Sequence, residues 1–241
     1  MPAGGPSAAL SLLLTCEHGG NVIPEALRPL FKDAGPDLQG HRGWDPGALD
    51  LYHRLQPLAD ASYAGTTSRL VVELNRSLDH PDLFSSHTRD LTDAEKGILL
   101  DTCYFPFRKA VLDRVQQWIG EDRQVLHVSV HSFTPELNGE RRDFHIGLLF
   151  DPDHGSEAAL ARQWRSAILK GAPDLDVRYN EPYLGTDDGH TLALRKAFGP
   201  RYSGIELEVR NDLLSTAAQV QEMGGLLSGT LRTLLEGGRE V

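Results

Sequence analysis

The sequence predicts an α/β sandwich with a mostly parallel central sheet, and three observations carry the prediction. Short apolar runs alternate with segments of helical periodicity along the 241-residue chain, the order that βαβ units produce. The runs are continuous, as strands buried on both faces of a parallel sheet require. Turn residues and reactive side chains follow several runs directly, and open α/β sheets keep their ligands at the carboxyl ends of their strands. With 40% hydrophobic residues and no repeat, linker or low-complexity segment, residues 11–241 read as one domain able to bury a full core. Residues 1–10 read as a loose tail feeding the first strand.

In chain order, the apolar run within Ser11–Cys16 is the first strand, and it stops at Glu17-His18-Gly19-Gly20. Two glycines permit positive φ and close backbone approach, which presents His18 at the strand's carboxyl end. Asn21–Gly43, rich in proline, glycine and charge, is an irregular excursion. Asp45-Pro46 then reads as an N-cap with proline at the first helical position, opening a helix through Leu49, Leu51, Tyr52, Leu55 and Leu58. Arg69–Leu74, rich in β-branched residues, is a second candidate strand ending at Asn75-Arg76.

His80–Thr92 is polar and reads as a surface loop, and Thr92-Asp93-Ala94-Glu95 fits a capping box. The helix it opens is expected to break near Pro106 and to resume through Phe107, Val111, Val115 and Trp118. Val125–Val130 is the third strand, stopping at His131-Ser132. Phe144–Phe150 is the fourth, followed by an alanine-rich helix from about Ser156 to Lys170. Val177–Tyr179 is a short strand, and Pro182–Gly189 a loop leading to a helix around Leu192–Phe198. Ile205–Val209 alternates as a strand with Glu206 and Glu208 on one face, and Asp212–Leu235 is the last helix.

Composition narrows the function. A net charge of −10 without a basic run or face argues against nucleic-acid and anionic-membrane partners, so an anionic small-molecule substrate would need local arginines. Cys16 and Cys103 are the only cysteines, which excludes a disulfide framework and a four-cysteine zinc site and suits a reducing, cytoplasmic setting. The start, MPAGGPSAALSLLLTC, lacks the basic region of a signal peptide, and no apolar run reaches the ~18 residues of a membrane helix. No G-x-S-x-G elbow and no glycine-rich phosphate loop is present.

His18, Asn75, Arg76, His131 and Glu208 all fall at or near carboxyl ends of expected strands, where one crevice could collect them. His18 and His131 could converge on one metal, with Asp45 completing a two-histidine, one-carboxylate set that binds zinc and leaves a position for water. Glu17 is a rival carboxylate, and a plain N-cap is the competing reading of Asp45. Glu208 or Glu206 could act as general base and acid, against which stands an ion pair with Arg210 or Arg195. Arg76, Arg142 and Arg195 could clamp substrate carboxylates; solvated surface arginine is the competing reading of each and the favoured one for Arg142.

The stretches CEHGG, HRGWDPGALDLY, LVVELNRS, SVHSFTP, DFHIG and GIELEVRND together resemble the N-formylglutamate amidohydrolase family, over roughly residues 11 to 213. The resemblance implies a three-layer fold like that of zinc exopeptidases and phosphorylases. It implies removal of the formyl group from N-formyl-L-glutamate, giving formate and glutamate, the last step of one histidine-degradation route. Carried over by motif, His18, Asp45 and His131 would hold one Zn²⁺, Glu208 would be the catalytic carboxylate, and Asn75, Arg76 and Arg195 would face the substrate. The chain departs from the narrower deformylase pattern in three places. Glu17 stands where proline is usual, Glu206 where glutamine is common, and NEPYLGTDDGH where a glycine-rich substrate loop is expected.

Overall fold

The computed structural model of the chain describes residues 9–237. The expected tail therefore lies largely outside the described residues, and Leu10 already belongs to the first strand. In chain order the elements are β1 (Leu10–Cys16), a 3₁₀ turn (Glu25–Phe31), α1 (Gly35–Gln39), α2 (Ala48–Leu55), β2 (Ala61–Ala64), α3 (Asp93–Leu99), α4 (Phe105–Gly120) and β3 (Gln124–Phe133). After these come the small β4 (Glu136–Leu137) and β5 (Glu140–Arg141) hairpin, β6 (Ile146–Leu149), α5 (Gly155–Gly171), β7 (Val177–Tyr179), α6 (His190–Phe198), β8 (Tyr202–Arg210) and α7 (Ala217–Gly237).

Six strands form one sheet in the order β2-β1-β3-β8-β6-β7, parallel except where β6 meets β8. The continuous apolar runs belong to its interior strands. Leu14 stands beside Val128, and Val128 beside Ile205, all fully buried. Side-chain alternation sends Leu12 and Leu14 to one face, where they pack with Leu51, Leu55, Trp164, Leu227 and Leu231 from α2, α5 and α7. Leu13 points the other way, into a cluster with Val111, Val115, Trp118 and Leu194 from α4 and α6. Helices on both faces of the sheet make the expected three layers.

Three expectations are corrected. Arg69–Leu74 is not a strand: Val71 N–H closes a turn on Ser68, and Glu73 N–H bonds the Leu83 carbonyl. Its apolar residues bury themselves in a local cluster with Leu83, Leu99 and Tyr104, so β-branched content there reports burial without a ladder. The edge strand next to β1 is instead Ala61–Ala64, too short and too exposed to read as one. Second, the helix does not break at Pro106. A wide turn over Leu100–Tyr104, in which Phe105 N–H reaches the Leu100 carbonyl, joins α3 to α4 and leaves Pro106 in the first turn of α4, where its missing donor costs little. The capping box at Thr92 and Glu95 is present as expected.

Third, the glycines after β1 serve close approach and not positive φ. A Cβ on Gly20 would lie 2.5 Å from the Thr66 carbonyl oxygen. The left-handed residue in this region is Gly47, with φ 81°, and it places the start of α2 against Leu214. Those two glycines seat the β1 turn and the Asp45 loop over the carboxyl ends of β1, β3 and β8.

Candidate metal centre and active site

Asp45 does not cap α2 with its side chain; the cap is Gly47, and the buried Asp45 carboxylate turns toward the sheet. Its backbone N–H bonds the His18 carbonyl at 3.0 Å, tying the loop to the end of β1. His131, near the end of β3, approaches from the neighbouring strand. Asp45 Oδ2 lies 3.3 Å from His18 Nδ1 and 2.9 Å from His131 Nδ1, and one donor atom from each of the three residues falls within 4.8 Å of the others.

The far nitrogen of each imidazole is held from behind. His18 Nε2 donates to Glu73 Oε1, and Glu73 is itself fixed by Arg69 Nε at 2.7 Å and by the Asn75 N–H at 2.9 Å. His131 Nε2 lies 2.9 Å from Ser129 Oγ, and that hydroxyl bonds Glu17 Oε2 at 2.6 Å. A hydroxyl has one proton, so with Ser129 donating to the Glu17 carboxylate it must accept from His131 Nε2–H. Glu17 Oε1 in turn sits 3.0 Å from His190 Nδ1. Both histidines therefore carry the proton on Nε2 when neutral and aim Nδ1 lone pairs at one point beside Asp45, the arrangement of imidazoles that ligate a metal.

The rival carboxylate Glu17 is thus placed behind His131, and Asp45 stands among the converging donors. Two imidazole nitrogens and one carboxylate oxygen, each anchored, could hold a divalent ion of the zinc type. The sequence reading missed Glu73, Arg69 and His190. Glu73 and Arg69 lie inside a run that reads as a strand, and His190 falls between the 182–189 loop and the helix expected around Leu192–Phe198; a pair four residues apart is the available signal for the first two.

Burial opposes the charge on Asp45, but His18 and His131 beside it hold its carboxyl well below the usual range. Burial also works against the His131 imidazolium, yet the Asp45 hydrogen bond and the nearby Glu208 and Glu17 carboxylates push it up to about 10. Glu208 goes the other way: burial, with Asp45 and Glu206 adding to it against the pull of His131, raises its carboxyl to about 8. Its Oε2 is buried without a hydrogen-bond partner among the described residues and faces the same cavity as the His18, Asp45 and His131 cluster. A carboxyl of this kind is ready to exchange a proton near neutrality.

The cavity is small, about 140 Å³, and its outer wall includes Asn75, Arg76, Tyr183 and Glu206. Asn75 Oδ1 accepts from the His190 N–H at 2.7 Å, fixing the start of α6. Arg76 donates through Nη1 to the carbonyls of Asn75 at 3.2 Å and Asp188 at 2.5 Å. Glu206 Oε1 accepts from Thr191 Oγ1 at 2.5 Å. Neither Glu206 nor Glu208 forms the alternative ion pair, because Arg210 pairs with Asp212 and Arg195 with Glu157.

Arg195 is the sequence-predicted residue that the fold takes elsewhere. Its guanidinium grips both oxygens of the buried Glu157 at 2.9 Å and the Gly185 carbonyl at 3.2 Å, and it does not line the cavity. Its charge is spent on holding α5, α6 and the 182–189 loop together. Arg142 also lies outside the wall, stacked over the Tyr183 ring at 5.2 Å with Nη1 3.3 Å from the phenol oxygen.

Residues 10–215 match the family model of N-formylglutamate amidohydrolase. Among solved structures, the product of gene Atu2144 from Agrobacterium tumefaciens is 31% identical, with a TM-score of 0.78, over 96% of this chain and 93% of that one. An N-formylglutamate amidohydrolase from Ralstonia eutropha JMP134 is 18% identical, with a TM-score of 0.69, over 100% of this chain and 97% of that one. Bovine thrombin-activatable fibrinolysis inhibitor, solved with tick carboxypeptidase inhibitor, shares the fold at 11% identity and a TM-score of 0.50, over 96% and 83%. No curated protein matches the chain. Among the described residues, no helix is long and apolar enough to cross a membrane.

Proposed function

The chain belongs to the N-formylglutamate amidohydrolase family, and from that premise we propose that it is a metal-dependent hydrolase removing a formyl or other small acyl group from an N-acyl amino acid. One observation carries the reading: His18 Nδ1, His131 Nδ1 and Asp45 Oδ2 converge in one cavity with a buried Glu208 oxygen that has no hydrogen-bond partner among the described residues.

A zinc ion held by His18, Asp45 and His131 would supply Lewis acidity, polarising the acyl carbonyl and acidifying water. Glu208 takes the proton released as water adds to the acyl carbon, then delivers it to the nitrogen as the C–N bond breaks, so the products are the free carboxylic acid and the amine. Burial raises this carboxyl to about 8 in the metal-free protein, and the charge of a bound cation would bring it down toward the carboxylate form that accepts the proton. Glu73 and the Ser129–Glu17 pair keep the two imidazoles oriented while this happens. Arg76, half-buried on the wall, takes the substrate carboxylate through its uncommitted donors.

The small cavity supports a substrate of amino-acid size and argues against a long peptide. The test is release of the free amino acid from a panel of N-formyl and N-acetyl amino acids, N-formyl-L-glutamate included, by zinc-loaded and chelated protein. Turnover that vanishes on chelation and returns with zinc is the expected result. Zinc-loaded protein that binds the metal yet hydrolyses none of the panel would place the chain among non-catalytic binding modules.

A further inference from the structure

Resting on that reading of the cavity, we propose that Glu206 selects the amino-acid half of the substrate. It favours N-acyl amino acids with a single carboxylate and a side chain ending in an N–H donor, amide or ammonium, over dicarboxylates such as N-formyl-L-glutamate.

The cations of the cavity are the starting point. Two arginines line it, and Arg69 is already committed: Nε and Nη2 lie 2.7 and 2.6 Å from Glu73 Oε2, and Nη1 lies 3.5 Å from Asp45 Oδ1. Arg76 has no carboxylate within 4.0 Å among the described residues, so its charge is open to a ligand. Arg195 is consumed by Glu157, and Arg142 lies outside the wall on Tyr183. His41, also in the lining, turns its Nδ1 toward Asp45, 3.4 Å from Oδ1. The wall therefore offers one free guanidinium, enough for one carboxylate.

The anions point the same way. Asp187, Asp188 and Glu206 line the cavity beside Arg76. The two aspartates are tied to the loop itself, Asp187 Oδ2 accepting from the Leu184 N–H at 3.1 Å and Asp188 Oδ2 from the Ser77 N–H at 2.9 Å. Glu206 differs. Thr191 holds Oε1, which orients the carboxylate, while Oε2 has no hydrogen bond or ion pair among the described residues.

Position completes the case. A Cβ on Gly189 would meet Asn75 Oδ1 at 3.2 Å and Glu206 Oε1 at 3.5 Å, and the carbonyl of the preceding Asp188 accepts from Arg76. Glu206 and Arg76 thus flank one short segment of backbone. A substrate whose carboxylate meets Arg76 brings its side chain within reach of Glu206. A second carboxylate there would face the negative charge of Glu206 with Arg76 already taken by the first, whereas an N–H donor would satisfy the open oxygen.

The experiment separates recognition from turnover by measuring binding to zinc-loaded Glu208→Gln protein with three ligands: N-formyl-L-glutamate, N-formyl-L-glutamine and N-formyl-L-lysine. The glutamine and lysine compounds should bind about tenfold tighter or better than the glutamate compound. Adding Glu206→Gln should shrink or invert the lysine-to-glutamate ratio by about tenfold, the direction that removing a like charge dictates. Equal or tighter binding of the glutamate compound, a ratio unmoved by Glu206→Gln, or no binding of any of the three would overturn the proposal. The same panel with the unsubstituted zinc protein reports on the reaction itself. The expected ranking without formate release would sink the proposed hydrolysis and leave the selection standing; formate release without the ranking would do the reverse.

Discussion

Glu208 stands directly beside His131 across the parallel β3–β8 ladder, and the same register sets Glu206 beside Ser129. Strand alternation then puts all four side chains on one side of the sheet, so one pair of neighbouring strands carries a metal-facing imidazole, its supporting hydroxyl and both cavity carboxylates. Glu208→Gln keeps the shape but cannot carry a proton. It should fold and retain zinc with unchanged stoichiometry while losing roughly 10²- to 10⁴-fold in kcat, the range of general acid–base catalysis. Activity within a few-fold of the parent would remove Glu208 from the proton transfers.

Arg76→Lys tests the clamp. Lysine keeps the charge but loses the planar fork that a carboxylate meets with two bonds. Because Arg76 is half-buried and already anchored on two carbonyls, the expected loss in kcat/KM is about tenfold to 100-fold, the worth of one hydrogen bond to a charged group at ~1.5–3 kcal/mol. Loss confined to KM is the signature of a contact made equally in ground and transition states. No change for any N-acyl amino acid would place the carboxylate elsewhere.

The protonation of His131 makes metal binding depend on pH. Its imidazole, held up to about 10 by Asp45 and its neighbours against the cost of burial, is charged in metal-free protein at neutral pH. Binding needs the Nδ1 lone pair, so the proton must leave, and zinc affinity should rise with pH by up to about tenfold per unit for each proton displaced. Calorimetric titration of zinc at pH 7 in buffers of different ionisation enthalpy should show at least one proton released per ion. A value of zero would mean that His131 is not displaced from its protonated state, and so is not a ligand.

Much of this centre is legible in the chain because its residues follow runs whose burial the sequence announces. His18 comes two residues after the end of β1, whose leucine run is Leu12–Leu14, and His131 follows the valine-rich run of β3. Asp45 is legible only as a residue type at a helix start, since a carboxylate that caps and one that turns away look alike until the loop path is known. What escapes the sequence is set by long-range pairing. The Arg195 guanidinium could face any anion that folding brings near, and a carboxylate buried 38 residues away, Glu157, claims it. Glu73 is hidden for the complementary reason. Val71 and Val72 look like sheet residues, yet their burial is met by a loop cluster, which frees the Glu73 side chain to reach His18.

The Ser129 hydroxyl offers the sharpest check on how His131 is held. Ser129→Ala removes one oxygen from a fully buried strand position and leaves Glu17 Oε2 as the nearest acceptor for His131 Nε2, 3.6 Å away and beyond a good hydrogen bond. The imidazole can then rotate or change tautomer, and zinc affinity should fall by about 10- to 100-fold, as when an outer partner of a ligating histidine is removed. A general loss of stability could weaken binding too, so Thr15→Ala is the matched control. It breaks a bond of similar length and burial, 2.7 Å to His127 Nε2, at the position directly beside Ser129 across the β1–β3 ladder, and leaves the contacts of His131 in place. Competition with a chelator of known affinity gives the dissociation constants, and urea unfolding of the metal-free proteins gives their stabilities. The expected outcome is comparable destabilisation in both variants with weakened zinc binding only in Ser129→Ala. Equal zinc affinities in the two would show that Asp45 alone orients His131, and that the path through Ser129 to Glu17 has no part in holding the metal.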